Sequence, residues 1–263
     1  YHKGGFIAEA EYLYKHYGDN AFKDVQINRF LEIVRDAINE DGYLERKNAE
    51  PLRIIDFGCG KSYLTFVLYH YLVNILGIRV NMTGLDLKAD VIAKCSAAAK
   101  RYGYDSLNFE RGDIAEYDAN APADMIVTLH ACDTATDYAL HNAVCRGARM
   151  ILSVPCCQHE LNGQIASDRL RLITRYGIIK ERFAALMTDA IRANLLESRG
   201  YKAQVLEFVD LSHTPKNLLI RAIKKRPALD NAGRIALDEA KALMEEFSLE
   251  PTLYSLLYPH SAD

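Results

Sequence analysis

An apolar run that breaks on two glycines and passes into an amphipathic segment constrains this chain most. The run is Ile54-Ile55-Asp56-Phe57-Gly58-Cys59-Gly60-Lys61-Ser62-Tyr63-Leu64. Beyond it, apolar side chains recur every three or four residues up to Ile75, the period of a helix packed on a sheet, and Gly77 follows where a helix would stop. We therefore predict a strand, a tight turn and a helix that begins near Ser62, a residue type favoured at N-caps.

The turn between this strand and this helix has the features of a cofactor site. Gly58 and Gly60 let backbone N–H groups approach a ligand, with the positive end of the helix dipole behind them. The dinucleotide fingerprint G-x-G-x-x-G needs a third glycine, but Tyr63 stands in that place. A bulky residue there argues against NAD and suits a cofactor without phosphates, and Asp56 would attract a cationic amino acid group. A purely structural turn is the competing interpretation.

Acidic residues follow the next two predicted strands. Residues 78–87 end in Gly84-Leu85-Asp86-Leu87, which places Asp86 at the carboxyl end of a strand. In a doubly wound sheet these ends line the ligand crevice, and a carboxylate there can accept hydrogen bonds from both ribose hydroxyls. Asp113 follows the strand at 106–111, where an adenine amino group would be contacted. A helix-start or turn role is the alternative for both acids.

Polar clusters follow the fourth and fifth predicted strands. Residues 123–129 lead into His130-Ala131-Cys132-Asp133, and residues 149–154 lead into Pro155-Cys156-Cys157-Gln158-His159-Glu160. These strands neighbour each other in the usual order of such a sheet, so we expect both clusters at one edge. An imidazole, with an unperturbed pKa of about 6.5, is a suitable general base. The predicted catalytic residues are His130, Asp133, Cys156, Gln158 and His159.

The thiols of these clusters also admit a metal interpretation. Cys132, Cys156, Cys157 and His159 could surround a tetrahedral zinc ion. Adjacent cysteines rarely ligate one ion comfortably, however, and the sequence contains no CxxC pair. We therefore expect free thiols and no metal, and His130 is either a base or a hydrogen-bonded structural residue.

The order of elements predicts the fold class. Strands alternate with helices up to residue 200, as in a parallel sheet covered on both faces, and residues 203–208 and 218–223 suit a final antiparallel hairpin. We predict an α/β fold: a doubly wound, Rossmann-like, seven-stranded, mostly parallel sheet with an N-terminal helical cap. The predicted units are residues 1–50, a helical extension; 51–226, the main domain with a helical insertion at 161–200; and 227–263, a terminal helix and tail.

Composition narrows the compartment and the partners. A net charge of −3 argues against a protein that binds nucleic acid over its whole surface. Six cysteines without the spacing of a disulfide scaffold fit the reducing cytoplasm, and no apolar run reaches membrane-spanning length. The helical insertion is locally basic, which makes it either a solvated face or a surface for RNA. Its cationic residues are Arg169, Arg171, Arg175, Lys180 and Arg182.

Five motifs occur in order at the predicted strand ends: DFGCGKSYLTF, GLDL, LHACDTATD, VPCCQHEL and SHTPKNLLIRA. Together they closely resemble a methyltransferase-like family that includes the methyltransferase-like 25 proteins and bacterial relatives. The family is more distantly similar to a tRNA 2′-O-methyltransferase family. The first motif is shared by most class I S-adenosylmethionine-dependent methyltransferases and so indicates the cofactor, whereas LHACDTATD and PCCQH are narrower and indicate the subfamily.

The resemblance implies an enzyme that transfers a methyl group from S-adenosyl-L-methionine to an acceptor that it does not identify. Methyl transfer is an in-line displacement, so the protein must align the nucleophile and remove its proton. The basic insertion and the distant similarity favour RNA slightly over a protein or small molecule. A non-catalytic cofactor- or RNA-binding module and an NAD-dependent oxidoreductase are the alternatives, and the oligomeric state stays open. The expected cofactor contacts are Asp56, Gly58, Cys59, Gly60, Lys61, Ser62, Asp86, Leu87, Asp113, Ile114 and His130.

Overall fold

The computed structural model describes residues 23–46, 50–117, 122–129, 131–167, 170–207 and 217–259. These residues form a seven-stranded sheet with helices on both faces. In chain order the elements are α1 (Lys23–Asp41), β1 (Leu52–Phe57), α2 (Tyr63–His70, continued by a π-helical turn over Tyr71–Ile75), β2 (Val80–Asp86), α3 (Ala89–Arg101), β3 (Leu107–Arg111), β4 (Met125–Thr128), α4 (Thr134–Cys145), β5 (Met150–Ser153), α5 (His159–Gln164), α6 (Arg171–Thr174), α7 (Gly177–Ser198), β6 (Tyr201–Glu207), β7 (Leu218–Lys224), α8 (Asn231–Phe247) and α9 (Thr252–Leu257).

The strand order of the sheet is β3-β2-β1-β4-β5-β7-β6. Strands β1 to β5 are parallel, whereas β7 pairs antiparallel with both β5 and β6. The predicted fold class, with its final hairpin, is therefore confirmed. Thr128 at the end of β4 lies opposite Ser153 at the end of β5, so the polar segments after these two strands begin side by side.

Alternate residues of each strand enter two hydrophobic cores, one on each face of the sheet. On β1, Ile54 packs in the core under α1, α2 and α3, whereas Ile55 packs under α4, α7 and α8. Both faces of the central strands are covered, which explains why β4 and β5 are apolar without alternation. This double cover holds the carboxyl ends of the strands in fixed positions at one edge.

Helix α1 confirms the predicted N-terminal helix over the part that the structure describes. Its apolar side chains, including Phe30 and Val34, are buried against the sheet. At its C-terminal end Glu40 pairs with Arg221 at 2.7 Å, and Asp41 pairs with Arg149 at 3.1 Å. Residues 1–22 of the predicted extension lie outside the described residues.

For residues 161–200 the sequence pattern predicts two helices separated near Tyr176–Gly177. The described residues of this insertion contain three helices, α5, α6 and α7, and the predicted break is confirmed as the start of α7. Helix α5 is short because Asn162 and Gly163 are poor helix formers. Among the helices of the described ranges, none is both long enough and apolar enough to cross a membrane.

Candidate active site

The glycine turn after β1 adopts a conformation that requires glycine. Gly58 and Gly60 have φ angles of 70° and 53°, in the left-handed region that glycine enters without steric cost. The N–H groups of Gly58 and Cys59 both donate to the carbonyl oxygen of Leu85, at 2.9 and 3.0 Å, which ties the turn to β2. A Cβ placed on Gly60 would come no closer than 4.0 Å to its nearest neighbour, the carbonyl oxygen of Gly58. The surface above Gly60 is therefore open to a ligand.

Asp86 lies beside this turn at the carboxyl end of β2, where the sequence predicted it. Its Oδ2 accepts a hydrogen bond from the N–H of Gly60 at 2.9 Å, and its Oδ1 accepts one from the N–H of Lys88 at 2.9 Å. The side chain is half-buried. The carboxylate thus links the glycine turn to the start of α3.

Asp56 is buried under the turn. The hydroxyl of Thr65 on α2 donates to Asp56 Oδ2 at 2.5 Å. Burial, together with the nearby charge of Asp86, raises the pKa of Asp56 to about 7. The hydrogen bond from Thr65 opposes this shift. The sequence analysis missed Thr65, for which the only signal was a hydroxyl within an apolar helix.

Ser62 begins α2 as predicted, but its side chain does not cap the helix. The residue is buried with a φ of 58°, and its hydroxyl donates to the carbonyl oxygen of Gly60 at 3.2 Å. The left-handed backbone turns the side chain back into the glycine turn, away from the free N–H groups of the helix. Cys59 is also buried, and burial raises the pKa of its thiol.

The other predicted cofactor contacts in the described residues follow the carboxyl ends of β1, β2 and β3. Lys61 and Leu87 are exposed, and Asp113 is exposed with its Oδ1 accepting from the N–H of Ala115 at 2.9 Å. Ile114 is half-buried, and its carbonyl oxygen accepts from the side chain of Asn142 at 2.9 Å. Their contacts with a cofactor stay predictions.

The polar clusters after β4 and β5 meet, as their neighbouring strands require. Asp133 has a φ of 54°, and its Oδ1 accepts from the N–H of Glu160 at 3.1 Å. The sulfur atoms of Cys132 and Cys156 are 3.0 Å apart. His159 is an exposed residue at the start of α5. His130, the remaining predicted catalytic residue, lies outside the described residues.

A buried ion cluster lies behind this edge. Arg192 of α7 is only 2% exposed; its Nη2 lies 2.8 Å from Asp137 and 3.0 Å from the carbonyl oxygen of Asp133, and its Nη1 lies 3.2 Å from Asp189. The side-chain amide of Gln158 donates to Asp189 at 3.1 Å. Arg192 therefore connects the segment after β4 with the segment after β5.

The charges of this cluster compensate one another. Burial by itself lowers the pKa of Arg192, but hydrogen bonds and charges from Asp137 and Asp189 raise it above its usual value. Burial raises the pKa of Asp189 to about 6, although Arg192 opposes that shift. The sequence analysis missed this cluster. The available signal was an acid and a base three positions apart in an otherwise apolar part of α7.

Buried polar atoms at the ends of β4 and β5 are left unpaired among the described residues. They are Gln158 Oε1, Thr128 Oγ1 and Ser153 Oγ. An unpaired buried acceptor costs about 1–3 kcal/mol. The amide nitrogen of Gln158 donates to Asp189, which fixes the side chain, whereas its amide oxygen has no donor in the described part of the chain. A ligand that donates a hydrogen bond to this oxygen would remove that cost.

Solved structures that share this fold include α/β methyltransferases. Among solved structures, the carbon methyltransferase CurJ has a TM-score of 0.51 at 15% identity, over 81% of this chain and 57% of that chain. The methyltransferase domain of citrinin polyketide synthase matches at 0.46 and 18%, over 74% and 52%. The magnesium protoporphyrin IX methyltransferase of Synechocystis PCC 6803, with bound S-adenosylmethionine, matches at 0.44 and 14%, over 80% and 88%. The chain spans about half the length of the first solved proteins that it matches.

A family model described as a methyltransferase domain matches residues 22–164, more than half of the 263-residue chain. The chain belongs to this methyltransferase-domain family. No curated protein matches the chain.

Proposed function

We propose that this chain transfers a methyl group from S-adenosyl-L-methionine to RNA at the edge formed by the carboxyl ends of β1, β2, β4 and β5. The main support for this proposal is the glycine turn, where an open surface above Gly60 lies directly beside the carboxylate of Asp86. A ligand at this place would contact the turn backbone and an acidic side chain together. This arrangement fits a cofactor that has a ribose and no phosphate.

The residues around the turn would hold the cofactor by their charge and position. Asp86 would accept hydrogen bonds from the ribose hydroxyls, and Asp56, once ionised under the turn, would attract the cationic amino acid group. Asp113 and Ile114 would contact the adenine. The remaining proposed contacts are Gly58, Cys59, Lys61, Ser62, Leu87 and His130.

S-adenosylmethionine supplies an electrophilic methyl group on a cationic sulfur. The chain's part in the reaction is to align the acceptor and remove its proton. His159 and His130 are the proposed bases, and Asp133, whose backbone carbonyl is held by Arg192, would orient them. Cys156 and the free oxygen of Gln158 would contact the acceptor's reactive group from the segment after β5.

A wall for the acceptor is available in residues 171–186, which comprise α6, the turn after it and the first half of α7. Asp189 lies beside the carboxyl edge of the sheet, because it accepts a hydrogen bond from Gln158 in the segment that follows β5. Gly177, twelve positions earlier in the same helix, therefore lies roughly 18 Å away at a rise of about 1.5 Å per residue. Since α7 ends at Ser198 next to the start of β6, its first half extends beyond the carboxyl edge of the sheet.

This wall is basic and carries an exposed aromatic ring. Arg171, Arg175 and Arg182 are exposed, and the guanidinium of Arg175 lies 4.6 Å from the centroid of the Tyr176 ring. Cations that contact phosphates and an aromatic face on which a base can stack are the common elements of single-stranded nucleic acid sites. RNA is therefore the proposed acceptor class. Arg169 lies outside the described residues.

A protein acceptor is the second candidate, because the same wall exposes aliphatic side chains. Leu172 and Ile178 are 68% and 64% exposed, and Leu186 is also exposed. Exposed aliphatic side chains of this kind favour a protein partner over a polyanion.

The narrower motifs LHACDTATD and PCCQH support a place for the chain among the methyltransferase-like 25 proteins within the family.

The acceptor is tested by transfer of a tritiated methyl group from labelled S-adenosylmethionine into a cell extract. We expect nuclease, and not protease, to remove the incorporated label. Arg175→Gln combined with Arg182→Gln should reduce labelling several-fold and weaken its dependence on salt, because phosphate contacts release counterions. Lys94→Gln combined with Lys100→Gln removes the same charge from α3 and should leave labelling unchanged. Label removed only by protease would exclude the RNA acceptor.

A further inference from the structure

Three cysteine thiols from two separate segments lie together beyond the ends of β4 and β5. The sulfur atoms of Cys132 and Cys156 are 3.0 Å apart, and those of Cys156 and Cys157 are 3.7 Å apart. All three sulfur atoms lie within 4.8 Å of one another. The sequence analysis expected free thiols here because adjacent cysteines are poor joint ligands and no CxxC pair exists. The fold brings a third sulfur to them from 24 positions earlier in the chain.

The two segments that hold these thiols are fixed by contacts outside the cluster. The N–H of Val154 donates to the carbonyl oxygen of Thr128 at 2.8 Å, which continues the pairing of β4 and β5 past the last strand residues. Next to Cys132, the carbonyl oxygen of Asp133 accepts from Arg192. The close approach of the sulfur atoms therefore follows from the packed fold.

The spacing of the sulfur atoms suits a single thiophilic ion. Zinc binds thiolate at about 2.3 Å, so two thiolates at tetrahedral angles lie about 3.8 Å apart. The separations of 3.0 and 3.7 Å lie at or below this value, and all three sulfur atoms lie within 4.8 Å of one another, so small side-chain shifts would bring them to the ligand spacing. Cys132 is exposed while Cys156 and Cys157 are half-buried, so a fourth ligand from solvent or substrate could reach the ion.

The donor set of the cluster also points to one kind of ion. Metal binding displaces thiol protons, so the bound ligands would be thiolates. Three thiolates and an open position form a donor set that soft metals prefer over magnesium or calcium.

We propose that Cys132, Cys156 and Cys157 form a three-thiolate site for a zinc ion, with its fourth coordination position open to solvent. The site lies on the same edge as the proposed methyl-transfer centre. The proposal rests on the positions of the sulfur atoms and not on the identity of the acceptor. Binding of the ion can therefore be measured without an activity assay.

The test is titration of cadmium, as a spectroscopic substitute for zinc, into the full chain after reduction and removal of metals. We expect thiolate-to-metal charge-transfer absorbance that saturates at one ion per chain, and zinc should displace the cadmium. Cys132→Ser should lower the affinity at least tenfold, and Cys157→Ser should do the same. Cys145→Ser is the matched control, because Cys145 is an exposed cysteine at the end of α4, outside the cluster. It should bind the ion as the unmodified chain does.

Three results would each overturn the metal site: absence of charge-transfer absorbance in the unmodified chain, equal affinity in Cys132→Ser and Cys145→Ser, or a Cys132–Cys156 disulfide in the protein as isolated. Titration of S-adenosylhomocysteine into the same variants shows whether each is folded. Loss of metal binding with retained cofactor binding supports the site when it occurs in Cys132→Ser or Cys157→Ser. An unmodified chain that binds cadmium but not S-adenosylhomocysteine would contradict the proposed function and leave the metal site standing.

Discussion

Asp56 is a buried acid whose ionisation should make stability depend on pH. In the folded chain the pKa of Asp56 is about 7, whereas in the unfolded chain it has the ordinary aspartate value of about 3.9. Between these values the unfolded state binds fewer protons, so the free energy of unfolding falls as pH rises and levels off above the folded pKa.

Asp56→Asn removes this titration and retains the side-chain volume. Relative to the variant, the unmodified chain should lose about 2 kcal/mol of stability from pH 5 to pH 7. Urea unfolding of the cofactor-free protein measures this difference. Parallel pH profiles for the two proteins would show that Asp56 ionises normally in the fold.

Asp86 is the residue whose charge should matter most for the cofactor. Asp86→Asn keeps an oxygen that can accept from the N–H of Gly60, but it removes the charge. Loss of charge-assisted hydrogen bonds should weaken binding of S-adenosylmethionine by about 1.5–3 kcal/mol in calorimetry. Asp90→Asn, which changes a largely exposed acid four positions away, should bind as the unmodified chain does. Equal affinity in the two variants would remove Asp86 from the site.

At the scale of the element, the turn between β1 and α2 depends on its glycines for access as well as for conformation. Gly60→Val should abolish cofactor binding, because the side chain would fill the open surface above the turn. Gly77→Val is the matched control: Gly77 has a φ of 65°, and its Cβ would meet nothing within 4 Å. Both variants carry the same backbone strain. If calorimetry shows that both variants lose the cofactor, strain and not obstruction is the cause.

Helix α7 contributes the arginine that connects the segment after β4 with the segment after β5. Arg192→Met should lower the free energy of unfolding by about 3–5 kcal/mol, because the carboxylates of Asp137 and Asp189 would stay buried without their cation. Arg182→Met, on the exposed surface of the same helix, should change stability by less than about 0.5 kcal/mol. Chemical denaturation measures both values. A small effect of Arg192→Met would mean that water or rearrangement compensates the cluster.

Helix boundaries could be predicted from the sequence where a local signal marks each end. Helix α3 covers Ala89–Arg101 and lies between two local signals, Asp86 before its start and Gly103 after its end. The helix break at Gly177 was found for the same reason. The short helix α6 was missed, since four residues give no readable period.

At the scale of the whole molecule, the pairing of β4 with β5 and the final antiparallel hairpin could be predicted, but the ion cluster around Arg192 could not. Asp137 and Arg192 lie 55 positions apart, and only the packing of α7 on α4 brings them together. Cys132 and Cys156 meet through the pairing of β4 with β5. The predicted positions of Asp56 and Asp86 needed only local patterns, because each lies at or near the carboxyl end of its own strand.

The most direct test of the account is calorimetric titration of S-adenosylhomocysteine and of NAD into the unmodified chain. The glycine turn, Tyr63 in place of a third glycine, and Asp86 at the end of β2 predict S-adenosylhomocysteine binding of about −8 kcal/mol, in the micromolar range. NAD should give no measurable heat at the same concentrations. Binding of NAD as tight as that of S-adenosylhomocysteine, or no binding of S-adenosylhomocysteine at all, would contradict the assignment of this edge as a methyl-donor site.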